Sequence, residues 1–128
     1  NLETQIFSPG PSMRLRRFDC ATVVLEDGKV VVIGGHGGTF LSTSEVLNPA
    51  TNTWSPGPNL ATERYACTAL PLSDGGIFVI GGQRESSLST TEIVDLASWK
   101  STPGPEMSCP RVFCSAVMLH DGRVLVIG

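Results

Sequence analysis

Guanidinium groups dominate the chemistry open to this chain. Arg14, Arg16, Arg17, Arg64, Arg84 and Arg111 make up six of its nine basic residues, and each is a planar fork of donors suited to carboxylates and phosphates. Other chemistry is thinly supplied. His36 and His120 are the two histidines and Tyr65 the one tyrosine, so the His and Tyr set of a copper site cannot be assembled from this segment. No G-x-S-x-G elbow holds a serine nucleophile. Of the four cysteines, Cys20, Cys67 and Cys114 recur at one interval and Cys109 stands apart. Without a CxxC spacing, they read as small apolar packing residues instead of metal ligands or disulfides. No catalytic residue, cofactor or metal is therefore expected, and unpaired core cysteines favour an intracellular setting.

What the arginines do depends on what positions them, and that is a repeat. Asp27, Asp74 and Asp121 stand 47 residues apart, each followed by glycine and an apolar run; in the first two copies, Gly34-Gly35 and Gly81-Gly82 close the run. Gly10, Gly57 and Gly104 keep the same interval, as do Arg17, Arg64 and Arg111, and as Glu45 does with Glu92. Units of this length mark arrays in which no single unit can bury its apolar face alone. The expected organisation is an outer strand of a preceding blade in 1–9, whole repeats in 10–56 and 57–103, and the first half of another in 104–128.

Each unit reads as four short strands. Phe18 to Leu25 is rich in small and β-branched residues and ends in a hairpin signal at Asp27-Gly28; Lys29 to Ile33 is nearly all apolar and so buried on both faces. Ser44 to Leu47 and Thr53 to Ser55 follow, separated by the turn signal Asn48-Pro49-Ala50-Thr51-Asn52. The second unit repeats this over Tyr65 to Leu72, Gly76 to Ile80, Thr91 to Val94 and a stretch between Ser98 and Thr102. There Trp99 follows Trp54 by 45 residues, not 47, which predicts a shorter turn and a displaced outer strand. Val112 to Leu119 and Arg123 to Ile127 are the inner strands of the third unit, and Thr4 to Ser8 is the outer strand of the earlier one. Helical periodicity appears nowhere, so the chain is all-β.

The double glycine after an apolar strand, the Glu-Val strand, the Asn-Pro-x-Thr-Asn-Thr-Trp turn and the Pro-Gly-Pro break together resemble the kelch motif. Gly34, Gly35, Glu45, Pro49, Asn52 and Trp54 stand where that motif has them, and Gly81, Gly82 and Glu92 repeat it. Leu47 and Val94 depart from it, since kelch units usually carry tyrosine there. The resemblance implies a kelch-type β-propeller segment, two full four-stranded blades with partial blades at both ends, whose first strands line a central channel. It also implies a protein-interaction scaffold; the alternative is the non-catalytic part of a propeller similar to the copper-radical oxidases.

Antiparallel strands turn alternately at two ends. The turn end carries Glu26, Asp27, Asp74, Asp95 and Asp121, and the opposite, glycine end carries the six arginines named above. Arg14, Arg16 and Arg84 fall off the period and are candidates for binding an acidic or phosphorylated protein segment, with Arg64 and His36 added to that surface. For Arg17, Arg64 and Arg111 two readings stand, recognition or a structural partnership with the periodic Glu45 and Glu92. Net charge is −3, so nucleic acid is not an expected partner, and no apolar run approaches the roughly 20 residues of a membrane span. Two copies, or further blades, are expected to complete the ring.

Overall fold

The computed structural model describes residues 1–128. β1 (Ala21–Val24), β2 (Val30–Ile33), β3 (Ser44–Asn48) and β4 (Thr53–Pro56) form one antiparallel sheet in that order. A second sheet repeats it with β5 (Thr68–Pro71), β6 (Ile77–Ile80), β7 (Thr91–Asp95) and β8 (Lys100–Pro103), and β9 (Ser115–Met118) pairs with β10 (Val124–Ile127). The chain is all-β, its sheets are blades, and they do not close into a ring. No helix is long and apolar enough to cross a membrane.

A four-residue strand cannot bury much by itself, so the core lies between sheets. Ala21, Val23, Val31 and Ile33 of the first sheet pack on Cys67, Ile77, Val79 and Val94 of the second, with Leu60 closing the seam. Burying each such Val or Ile contributes about 1.5–3 kcal/mol. Inner strands β1, β5 and β9 stand side by side. β10 is the same all-apolar run as β2, yet Leu125 and Ile127 are exposed, because no sheet covers their face.

Three expectations are corrected. Inner strands are shorter than expected, since Phe18 and Tyr65 pair outside the sheets, in isolated bridges to His36 and Gln83. The outer strand of the second blade is not displaced. Asp95 pairs with Lys100 as Asn48 pairs with Thr53, so the two turns have one length and Trp99 occupies the place of Asn52. Both residues are left-handed, at φ +54° for Asn52 and +59° for Trp99, a conformation that suits asparagine and strains a bulky side chain. Lastly, Thr4 to Ser8 forms no strand. The turn before it is made as in the other blades, with Asn1 Oδ1 accepting from the Glu3 amide as Asn48 Oδ1 accepts from the Ala50 amide, and with Gln5 at φ +55°. A strand also needs an edge to pair with, and none of the ten strands pairs with these residues.

Candidate functional site

At the glycine end the periodic residues build the joint between blades. Arg64 spends its guanidinium inside its own blade: Nε donates to Glu92 Oε1 at 3.0 Å, Nη1 to the Gly81 and Thr90 carbonyls at 2.8 Å, and Nη2 to Thr90 Oγ1. Its backbone carbonyl accepts the Gly35 amide of the preceding blade at 2.7 Å. The same carbonyl lies 2.4 Å from where a Cβ on Gly34 would stand, and Gly34 has φ +67°. Gly81 repeats this against the Arg111 carbonyl at 2.5 Å. The first glycine of each pair is therefore needed twice, for a left-handed backbone and for the close approach of the next blade.

Glu92 accepts the Ala61 and Thr62 amides as well, and Glu45 the Arg14 and Leu15 amides. Each carboxylate so clamps the loop leading into its own blade. Burial alone would raise the Glu45 carboxyl; the Arg14 amide, the Arg17 guanidinium and the Leu15 amide outweigh it and hold the pKa below the usual range. Arg17 reaches Glu45 through Nη2 at 3.0 Å instead of Nε, so its buried Nε–H has no partner. Arg111 donates from Nη1 to the Gly128 carbonyl, as Arg64 does to the Gly81 carbonyl.

The structural partnership is thus the correct reading of Arg17 and Arg64, and Arg64, at 1% exposure, is withdrawn from the surface open to a partner. Trp54 Nε1 donates to the Pro11 carbonyl and ties the outer strand to the incoming loop. Ser101 takes its place in the second blade and donates to Glu92 Oε2. Cys20, Cys67 and Cys114 pack beside the seam glycines and Cys109 is exposed; burial pushes the Cys67 thiol up to about 11, and all four are unpaired. Such a buried, protonated thiol packs as a small apolar group.

Off-period residues divide the glycine end unequally. In the first blade Arg14 offers its guanidinium to no protein group, and Arg16 uses only Nε, on the Gly37 carbonyl at 3.3 Å. Arg84 in the second blade is paired with Glu63 at 3.2 Å, both half exposed, and Glu85 follows it. The end is therefore basic over the first blade only. Composition by element counts arginines and passes over Glu63, which stands 47 residues after Arg16 and reverses its charge.

Aromatic rings, which sequence reasoning missed, adjoin this basic surface. His36 lies 5.1 Å from Phe18, 5.4 Å from Phe40 and 6.2 Å from Tyr65, ring centre to ring centre, and Tyr65 lies 5.6 Å from Phe113. Phe18 and Tyr65 hold one repeat position, so their spacing was a usable signal; the approach of Phe113, one residue off that position, was not. Phe18 is 57% and Phe113 64% exposed. Burial raises the Tyr65 hydroxyl's pKa, and the Asp19 carboxylate beside it raises it further. His120 is exposed in the β9–β10 turn at the other end, and no three His, Cys, Asp or Glu side chains converge anywhere. Nothing in this arrangement favours the oxidase alternative.

The family model described as the Kelch motif matches residues 16–61 and 64–108. The chain belongs to the kelch family. Each match takes in one complete four-stranded blade, and the periodic Gly-Gly, Arg and Glu residues are the ones that join the blades. No curated protein matches the chain. Kelch motifs generally mediate protein–protein interaction and kelch domains are typically non-catalytic.

Proposed function

We propose that this kelch segment is a protein-binding platform that holds an acidic or phosphorylated segment against the glycine end of its first blade. The observation that carries the reading is the pair of guanidiniums, Arg14 and Arg16, left without a carboxylate partner, where the periodic Arg17 and Arg64 are each held by the glutamate of their own blade. Each desolvated pair with a carboxylate or phosphate contributes about 1.5–3 kcal/mol. His36, exposed Phe18 and the adjoining rings supply apolar contact beside the charge, a mixture common at interface hot spots. The partner, an acidic peptide or protein surface, loses capture when Arg14, Arg16 and Arg84 are replaced together by alanine, while the unfolding midpoint stays in place. Unchanged capture would overturn the proposal.

A second reading, ring closure by another copy or by further blades, has its own support. β10 pairs on one side only, and Leu125, Ile127, Val117 and Met118 are exposed on its blade, leaving an edge and an apolar face open to association. Light scattering that returns a well-behaved monomer at high concentration would remove self-closure.

A further inference from the structure

Beside the first blade's loop lies a cleft of about 420 Å³ lined by Arg16, Arg17, Phe18, His36, Gly37 and Gly38, within the range of about 300–1,000 Å³ common for small-ligand sites. Its make-up is selective. Arg17 is consumed by Glu45 and the loop carbonyls, so the free charge in the cleft belongs to Arg16, whose Nη1 and Nη2 have no protein acceptor. No carboxylate lines it. The Gly38 amide donates to His36 Nδ1 at 3.3 Å, which leaves the proton of the neutral imidazole on Nε2 and makes that nitrogen a donor. Phe18, more than half exposed, lines the same cleft as the Arg16 side chain. Gly37 permits a close backbone approach on this wall, since a Cβ there would collide with the Arg16 carbonyl.

We infer that this cleft takes a phosphotyrosine side chain, its phosphate on the Arg16 fork and its ring on Phe18. An aspartate or phosphoserine meets the guanidinium but leaves the aromatic wall empty, whereas an aryl phosphate satisfies both from one residue. The second blade lacks the arrangement, since Glu63, Tyr65, Gln83 and Arg84 stand in the places of Arg16, Phe18, His36 and Gly37, and Glu63 and Arg84 neutralise each other. The inference rests on the proposal of an acidic-segment platform and narrows it to a partner gated by tyrosine phosphorylation.

Four versions of one acidic peptide, bearing tyrosine, phosphotyrosine, phosphoserine or glutamate at its centre, are titrated calorimetrically into the intact chain. The phosphotyrosine peptide binds at least about tenfold tighter than the other three, a gain in keeping with a charge-assisted bidentate contact plus a ring contact. Arg16→Gln removes that gain, and Phe18→Leu reduces the phosphotyrosine peptide to the level of the phosphoserine one without weakening the latter; both side chains are exposed, and unchanged thermal unfolding verifies the fold. Equal binding of phosphotyrosine, phosphoserine and glutamate peptides overturns the inference and leaves the acidic platform standing. Preference for phosphotyrosine that survives Arg16→Gln also overturns it, because the ring then binds elsewhere. Failure of all four peptides, with partner capture indifferent to Arg14 and Arg16, overturns the inference and the platform together.

Discussion

The first and second blades share the joints made by their periodic arginines, glutamates and glycines and differ in what they show to solvent. Arg17 and Arg64 each bind the glutamate of their own third strand, and each blade's double glycine receives the next blade. Around that common frame, Arg16 becomes Glu63, His36 becomes Gln83, Gly37 becomes Arg84 and Phe40 becomes Ser87. One blade presents unpaired cations beside aromatic rings, and the other a self-neutralised ion pair beside polar side chains. Residues that hold the architecture are those the period cannot vary, and residues free to vary are the ones that give a blade its own chemistry.

The largest test of this division removes a periodic arginine. Arg64→Ala strands a buried carboxylate at Glu92, a loss of about 3–5 kcal/mol measurable by urea unfolding. Arg17→Ala costs less, because one of its buried N–H groups is unpartnered already; equal losses would mean the two joints are not distinguished by that bond. Acid sharpens the point. The Glu45 pKa is depressed in the fold, so its contribution is complete above the unfolded-state value of about 4.3 and is lost as pH falls through the lower, folded-state value. Unfolding midpoints drop through that window, and Glu45→Gln flattens the drop.

Next in size are the glycines. Gly34→Ala forces a methyl group onto the Arg64 carbonyl at 2.4 Å and costs upward of about 1–3 kcal/mol. Gly81→Ala meets the Arg111 carbonyl but disturbs a seam with a two-stranded, largely exposed blade, and its effect on the denaturation midpoint is smaller. The turn end gives a milder contrast: Trp99→Asn relieves a left-handed tryptophan and stabilises by about 1 kcal/mol, while Asn52→Trp loses a similar amount. Smallest of all, Arg84→Ala changes stability by less than about 0.5 kcal/mol, because its ion pair is exposed. Glu63→Ala, by releasing Arg84, raises affinity for an acidic partner and extends the basic surface onto the second blade; unchanged binding would show that Arg84 faces away from it.

Much of this was legible before any coordinates. Strand order and the all-β class follow from residues that keep a common interval; that interval offered Arg17 and Arg64 either recognition or a partnership with Glu45 and Glu92, and the buried contacts chose the partnership. Trp99 misled for an instructive reason: its side-chain type suggested that the outer strand had slipped, whereas the backbone kept its register and the tryptophan had moved into the turn. Hydrogen bonds across a hairpin hold a strand in place regardless of which residue carries an indole.

The sequence by itself determined the repeat and the order of its strands, because these depend on apolar runs and turn residues that recur at one interval and on glycines where no side chain fits. Tertiary structure alone decided which arginines stay free, which rings meet and where the cleft opens. Those outcomes depend on distances between loops far apart in sequence, within one blade for the arginines and the cleft and between blades for the rings, and no local pattern carries them.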